Sequence, residues 1–432
     1  MSVAIPNSSH PPLELPDLTL PRDTPRTAKR VLGLYLQRTW QRWQSLPLGA
    51  LAVHNRGLYQ QTLALLKAAS QTAPNLPLQL LRWPTLSTLI TCIHDQLVPG
   101  GDLTRANQWV REACALWLLE LAHARLLPAG GVTVPRDPMG QLPVLRSVAA
   151  NLCVTAGPEV TAWHFGAGQL EVQQAAARTT IALSDQDFDL ATVQGVTASR
   201  PYFEIVPGIV LATSDNNPLS DFEAHPDKHG NQLDLGGHPA QEWCEVLRQC
   251  LQLIDEHLPL LGQELRLILR VVVPVGWDPE RHLSASYQEA IGLIYLTLHP
   301  NLMTMTEAVV HEYQHNKINA AFAMDPLLHN AWSPLYASPV RPDPRPLHGV
   351  VLAVHAFQPV AKLYEAMDAA PHPMARNPSW QERFRKIIGL NREGSHTVLS
   401  HAEATETGCG LFAEMRALDD HFAAFEAQHW PG

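Results

Sequence analysis

Two histidines in the C-terminal half of the chain have the spacing of metal ligands. His311 and His315 stand four residues apart, and Glu312 follows the first of them, which gives the pattern HExxH. Residues i and i+4 of an α-helix lie one above the other on the same face, so two imidazoles at this spacing can bind a single ion. The motif therefore predicts a metal site, provided that the segment is helical.

The sequence around the motif predicts that helix. Thr304 and Glu307 have the spacing of a capping box, in which a hydroxyl and a carboxylate satisfy free N–H groups of the first turn. Apolar residues in and after the motif allow one face to be buried: Val309, Val310, Ile318 and Ala321. The alternative is a surface helix whose run His-Glu-Tyr-Gln-His-Asn-Lys is solvated, and we favour metal binding over it.

A third ligand is expected from a second helix, which the sequence predicts to begin near Pro346. His348 and His355 lie two turns apart on that helix and share a face, whereas Glu365 lies further along. We take His355 as the first candidate, His348 as the second and Glu365 as the weakest. With zinc as the ion, Glu312 would be the base that activates a bound water, and the protein would be a zinc metallopeptidase.

Longer segments of the second half of the chain match one family. They are 284–292, 309–318, Tyr336 with 340–347, and 349–357, and weaker matches occur at 407–425, around Trp243 and in the strand that ends at Val275. On these residues the chain resembles the HExxH-type 2-oxoglutarate-dependent peptide β-hydroxylases, enzymes that tailor ribosomally made peptide natural products. The N-terminal region contains no motif of this kind.

The resemblance implies an iron(II) dioxygenase that uses 2-oxoglutarate and O2 to hydroxylate a β-carbon of a residue in a ribosomal precursor peptide. His311, His315 and His355 would bind the iron, and Glu312 would orient a histidine or hold a water instead of acting as a base. A guanidinium would bind the distal carboxylate of 2-oxoglutarate, with Arg345 as the first candidate and Arg341 as the second. The alternative for these arginines is a loop held by pairing with Asp343.

The remaining sequence predicts a mainly helical α+β fold in four parts. These are a proline-rich arm (1–23), a helical region (24–150), a mixed middle region (151–280) and the metal-binding catalytic region (281–432). In the middle region we expect strands between Val160 and Thr213, a helix over 239–261 and a buried strand from Leu265 to Val275. A further strand is expected within 291–298. Two more histidine pairs, His225 with His229 and His396 with His401, stand in loop-like sequence and are expected to be solvated.

Composition narrows the possible functions of the 432-residue chain. A net charge of −10 disfavours nucleic acid as a partner, because phosphate binding needs a basic surface. No apolar run approaches the roughly 20 residues of a membrane span. The six cysteines form no CxxC pair, so a cytoplasmic protein is expected. Beside the two enzyme interpretations stands a third, a metal-free protein that binds a precursor peptide for partner enzymes.

Overall fold

The computed structural model describes residues 13–175, 177–222 and 230–430. Within this part, the chain forms two compact units. Unit 1 contains residues 13–32, 251–267 and 309–430, and unit 2 contains the described residues of Gly33–Cys250 and Ile268–Ala308. The units therefore do not follow the four consecutive regions expected from the sequence, because the chain passes between them several times.

The mainly helical α+β fold class is confirmed. The α-helices of the described residues are α1 (Arg26–Gln44), α2 (Val53–Thr72), α3 (Leu76–Leu81), α4 (Pro84–Gln96), α5 (Leu103–His123), α6 (Ala240–His257), α7 (Pro259–Ile268), α8 (Leu302–Phe322), α9 (Leu347–Ala369), α10 (Pro378–His401) and α11 (Gly408–His429). The strands are β1 (Val132–Pro135), β2 (Leu145–Ser147), β3 (Leu152–Ala156), β4 (Val160–Gly166), β5 (Gln169–Gln174), β6 (Arg178–Ala182), β7 (Val196–Ser199), β8 (Tyr202–Val206), β9 (Ile209–Ala212), β10 (Val271–Trp277), β11 (Ser284–Ala285), β12 (Leu293–Leu298), β13 (Leu335–Ser338) and β14 (Arg341–Pro346).

Unit 2 combines helices with three sheets. Its five-stranded sheet has the order β11-β12-β10-β9-β8, in which β10 pairs in parallel with both β9 and β12. The strand β12 is buried at every position, as expected for a central strand covered on both faces. The strands β1-β4-β5-β6 form an antiparallel sheet, and so do β2-β3-β7. Trp43 and Trp117 are fully buried among the helices of this unit.

Unit 1 is built mainly from helices. Helices α9 and α10 pack closely because Gly394 has no side chain: a Cβ there would lie 2.5 Å from Val354 Cγ2. A second glycine, Gly408, starts α11 beside the backbone of Leu327, where a Cβ would lie 1.8 Å from the carbonyl oxygen. The two-stranded sheet of β13 and β14 immediately precedes α9. This unit contains the motif-bearing residues of α8.

Several predicted boundaries are wrong. The helical region predicted to extend to residue 150 ends with α5 at His123, and β1 and β2 follow. The helix predicted over 239–261 ends at His257 and a new helix begins at Pro259, so α7 occupies the first residues of the strand predicted from Leu265. Arg266 of α7 donates to Asp255 at 2.6 Å, an ion pair that helps to hold this short helix. The strand itself begins at Val271.

The start of the HExxH helix also differs from the prediction. Helix α8 begins at Leu302, and the Asn301 side chain accepts hydrogen bonds from the N–H groups of Met303 (2.9 Å) and Thr304 (3.3 Å). Asn301 is therefore the capping residue, because asparagine has the same capacity as threonine to accept from the first turn. Thr304 lies inside the helix.

Two further predictions concern segments expected to be irregular. Arg341–Pro346 is a β-strand paired with Leu335–Ser338, not a loop. His396 and His401 lie in α10, so their sequence is helical and not loop-like. His225 and His229 lie outside the described residues. No helix in the described part of the chain has both the length and the apolar character needed to cross a membrane.

The segment expected to be an arm is packed into unit 1 where the structure describes it. Leu15 and Leu18 are 3% and 0% exposed. Leu13 N–H donates to the Thr407 hydroxyl at 3.1 Å, and Arg30 donates to the Glu14 carbonyl at 3.1 Å. Leu15, Leu18 and Thr19 therefore belong to the core of this unit, and residues 1–12 of the expected arm lie outside the described part.

Candidate metal centre

Helix α8 brings the two motif histidines together as their spacing predicts. The Nε2 atoms of His311 and His315 are 2.9 Å apart. The two rings are nearly perpendicular, with an interplanar angle of 86° and centroids 4.4 Å apart. Each imidazole therefore directs its outer nitrogen at the same small volume, as two ligands of one ion do.

Glu312 completes a group of three ligand atoms. One atom from each of His311, Glu312 and His315 lies within 4.8 Å of the other two, and among the described residues this is the group of three or more such side chains that could hold a metal ion. Glu312 is 3% exposed, whereas the histidines are half-buried. A carboxylate beside two imidazoles adds a hard, anionic donor to the site.

The surroundings favour neutral imidazoles. Phe357 of α9 packs against His311, with ring centroids 4.5 Å apart. Burial lowers the pKa of His315, and the nearby Glu312 charge partly opposes this. A lowered pKa keeps the ring neutral near pH 7, which is the form that binds metals.

The distance between the two nitrogens fits a shared ion. Two nitrogens that are each about 2.1 Å from one ion are about 3.0 Å apart at a right angle and about 3.4 Å apart at a tetrahedral angle. The observed 2.9 Å is close to both separations, so the two nitrogens can share one ion.

His355, the first candidate for the third ligand, is occupied elsewhere. The residue is fully buried, and its Nε2 donates to the Leu18 carbonyl at 3.1 Å. Burial lowers the pKa of His355 well below its ordinary value, and the charges of Lys317 and His315 add to this effect. His355 therefore lies near the motif helix as a neutral ring, but outside the group of three close ligand atoms. Its role as a ligand stays a prediction.

The other two candidates for the third ligand also have partners. His348 stacks on Trp332 (4.7 Å between centroids) and packs on Phe322 (4.4 Å), and burial lowers its pKa to about 4. Glu365 accepts from His421 at 2.8 Å and from Lys362 at 2.5 Å. Both lie outside the group of three close ligand atoms.

The arginines predicted to bind 2-oxoglutarate lie on β14 and both face Asp343. Arg345 Nε is 2.9 Å from Asp343 Oδ2, and Arg341 Nε is 3.9 Å from Oδ1. Asp343 is half exposed, so these pairs are accessible to solvent. Because Phe357 contacts His311 while His348 contacts Phe322, α8 and α9 run antiparallel, and Arg345 lies toward the Phe322 end of α8.

Sequence reasoning missed a buried polar network on the other side of the motif helix. Lys317 and Glu264 form an ion pair at 2.8 Å, and the Tyr313 hydroxyl donates to the same carboxylate oxygen at 3.0 Å. Lys317 also donates to the Thr19 carbonyl at 3.1 Å. The interpretation of this run as a solvated surface helix is therefore wrong, because Tyr313, Gln314 and Lys317 are fully buried.

The segment around Thr19 is held by side chains from three helices. Gln314 of α8 donates to the Thr19 carbonyl at 3.2 Å, and Glu414 of α11 accepts from the N–H groups of Thr19 and Leu20, both at 2.8 Å. His355 of α9 binds the preceding carbonyl. These contacts join residues about 300 to 400 positions apart, and no local sequence pattern predicts them.

Comparison of the chain with protein-family models and with curated proteins found no match in either case. The geometry of the three-residue group is therefore the main structural ground for a functional proposal, and the family resemblance stays a prediction from the sequence.

Proposed function

We propose that the protein is an iron(II)- and 2-oxoglutarate-dependent dioxygenase that hydroxylates a β-carbon of a residue in a ribosomally made precursor peptide. The observation that supports the metal site is the convergence of the His311 and His315 Nε2 atoms at 2.9 Å beside the Glu312 carboxylate. The peptide substrate and the 2-oxoglutarate come from the family resemblance of residues 284–364.

The residues of the chain would contribute binding and orientation. His311 and His315 would hold the iron on one face, and a bound iron(II) ion supplies the site at which O2 and the keto acid react. The two rings are kept in place because Phe357 packs on the His311 ring and the Lys317 network buries another part of α8. Glu312 would orient one of the imidazoles or accept a hydrogen bond from water at the site.

Arg345 remains our candidate for the distal carboxylate of 2-oxoglutarate. It would have to exchange its pairing with Asp343 for a pairing with the diacid. Because Asp343 is half exposed, breaking this ion pair should cost little free energy. Arg341, whose Nε is further from Asp343, is the second candidate.

A zinc metallopeptidase is the second candidate function, and one observation favours it. Glu312 is buried and lies with its carboxylate beside both imidazoles, which is the arrangement needed for a base that deprotonates a zinc-bound water. The two proposals share the metal site but assign Glu312 different tasks. They also differ in their need for a cation that binds a small diacid.

One experiment separates these two functions without knowledge of the peptide. The apo-protein is reconstituted with iron(II) in the absence of oxygen, 2-oxoglutarate is added, and the visible charge-transfer absorption of a chelated keto acid is recorded. The dioxygenase proposal predicts a band that is lost in His311→Ala and His315→Ala and retained in Glu312→Gln. His429→Ala, which removes an exposed histidine from the end of α11, serves as the matched control.

The opposite outcome is equally informative. Absence of the band together with tight, one-to-one zinc binding would favour the peptidase. Failure to bind either ion, with His311→Ala and His315→Ala indistinguishable from the unmodified chain, would favour the metal-free peptide-binding protein.

A further inference from the structure

A cavity of about 440 Å³ opens in unit 2. Its walls come from α2, α5 and the residues in and after β1. The volume lies within the range of small-molecule sites, roughly 300–1,000 Å³. Polar side chains contribute to the lining: His54, Gln61, Arg111, Thr133, Arg136 and Asp137.

Arg111 is the exceptional residue of this lining. It is 6% exposed, and one of its Nη atoms donates to the Pro135 carbonyl, whereas its buried Nε has no hydrogen-bond acceptor. Among the residues that the structure describes, no carboxylate forms an ion pair with it. A buried charge without a counter-charge is costly, so proteins normally pair it or bring it to a ligand.

The electrostatics of Arg111 agree with its geometry. Burial lowers the pKa of its guanidinium, and the charge of Asp137 is too remote to form an ion pair but acts in the opposite direction. An anion in the cavity, which Arg111 lines, would supply the missing counter-charge. Guanidinium groups bind carboxylates through charge-assisted hydrogen bonds, so a carboxylate suits a guanidinium that has no carboxylate partner among the described residues.

The neighbouring charges limit the ligand to a single negative charge. Arg136 donates through Nε to the Val160 carbonyl and through Nη2 to the Gly157 carbonyl, both at 2.6 Å, so it supplies charge but few free donors. Asp137 accepts from the N–H groups of Met139 and Gln141, and its charge opposes one of the two guanidinium charges. A net charge of one favours a carboxylate over a phosphate dianion.

We propose that this cavity is a binding site for a carboxylate, with Arg111 as the residue that binds it and Leu58, Pro135 and Pro138 as the contacts for the apolar part of the ligand. The carboxylate belongs either to a small organic acid or to the C-terminus of a peptide. The proposal is independent of the metal centre, because all of these residues lie in unit 2.

Isothermal titration calorimetry of the full chain tests the site with defined probes. Sodium benzoate represents a small acid, an N-acetylated tripeptide with a free C-terminus represents a peptide, and benzamide and the tripeptide amide are their uncharged counterparts. We expect at least one carboxylate to bind, its amide counterpart to bind at least tenfold more weakly, and inorganic phosphate not to compete. The probe that binds identifies the source of the carboxylate.

Three variants complete the test. Arg111→Met removes the guanidinium and should raise the dissociation constant about tenfold or more, since a charge-assisted pair is lost. Without ligand, the same variant should unfold at an equal or higher temperature, because it removes a buried unpaired charge. Leu58→Trp fills the cavity, leaves Arg111 in place and should also abolish binding. Arg105→Met, an exposed arginine on the same helix paired with Asp102, is the control and should bind normally.

Two results would overturn the proposal. The first is equal binding of a carboxylate by Arg111→Met, Leu58→Trp and the unmodified chain. The second is the absence of binding by both carboxylate probes, combined with a marked loss of thermal stability in Arg111→Met, which would make Arg111 a purely structural residue.

Discussion

Lys317 and Glu264 form a fully buried ion pair that joins the motif helix α8 to α7. Their charged atoms are 2.8 Å apart, and the two side chains are 0% and 1% exposed. Lys317 lies two residues after His315 on α8, whereas Glu264 lies on α7. The pair also binds the Tyr313 hydroxyl and the Thr19 carbonyl, so it joins α8 to α7 and to the N-terminal segment.

Removal of one partner should therefore be severe. Lys317→Met leaves a buried carboxylate with only Tyr313 as a donor, and Glu264→Gln leaves a buried ammonium without its ion-pair partner. Each should lower the free energy of unfolding by about 3–5 kcal/mol. The double variant Lys317→Met/Glu264→Leu replaces both charges by apolar groups and should lose less than either single change. Urea unfolding followed by circular dichroism measures all three, and additive losses in the double variant would contradict this account.

The sequence predicts helix α8 and its pair of close histidines because the motif lies within a short stretch of the chain. The spacing of His311 and His315 is a property of five consecutive residues, and the predicted strand within 291–298 likewise follows from one apolar run that forms β12. The helix α7 was missed because the run from Leu265 to Val275 is mostly apolar, interrupted by Arg266 and Arg270, and periodicity alone does not separate a buried strand from a helix end.

Contacts between distant parts of the chain are not predicted by any local pattern in the sequence. Lys317 and Glu264 are 53 positions apart, and Lys317 and Thr19 are 298 apart. Leu15 and Leu18 stand among prolines, which is a composition typical of linkers, yet both are buried. His355 shows the same limit: a histidine on an apolar helix suits both a metal ligand and a donor to a buried carbonyl, and only the fold places Leu18 beside it.

The N-terminal segment should depend on one carboxylate. Glu414 accepts two backbone hydrogen bonds, from Thr19 and Leu20, and burial raises its pKa while these bonds oppose the change. Glu414→Gln replaces one acceptor by an NH2 group that cannot accept, so one buried N–H loses its partner. The expected loss is about 1–3 kcal/mol of stability, with faster protease cleavage within residues 13–22.

Urea unfolding and limited proteolysis measure these two effects. Asp420→Asn is the matched control, because Asp420 is an exposed carboxylate on the same helix. Unchanged stability and unchanged cleavage in Glu414→Gln would mean that the segment is held by Lys317, Gln314 and His355 alone.

Glu120 should make the stability of the chain depend on pH. This α5 residue is 6% exposed, and burial raises its pKa to about 7 from an ordinary value of 4.5, although a hydrogen bond with Ser147 opposes the shift. Between pH 4.5 and 7 the unfolded chain loses the proton while the folded chain keeps it, so stability falls as pH rises and levels off above about pH 7. The full loss is about 3 kcal/mol.

Glu120→Gln removes this titration. The variant should be more stable than the unmodified chain at pH 8 and equally stable near pH 4.5, so its stability should fall less steeply between these pH values. Thermal unfolding across this pH range measures the difference, with the exposed Glu204→Gln as a control that leaves the slope in place. A slope in Glu120→Gln equal to that of the unmodified chain would assign it to other groups.

Asp343 should compete with 2-oxoglutarate if Arg345 binds the diacid. The carboxylate is 2.9 Å from Arg345 Nε and half exposed, so the pair forms in water and is readily exchanged. Asp343→Asn removes the competing charge and should lower the dissociation constant of 2-oxoglutarate several-fold, whereas Arg345→Met should raise it about tenfold or more. Titration of the charge-transfer band of the iron(II)-loaded protein measures both constants.

Arg341→Met distinguishes the two arginines. The effect of Asp343→Asn on the dissociation constant of 2-oxoglutarate should disappear only when the arginine that binds the diacid is replaced. If Asp343→Asn and Arg345→Met both leave the constant unchanged while the band persists, the cation that binds the distal carboxylate lies outside β14.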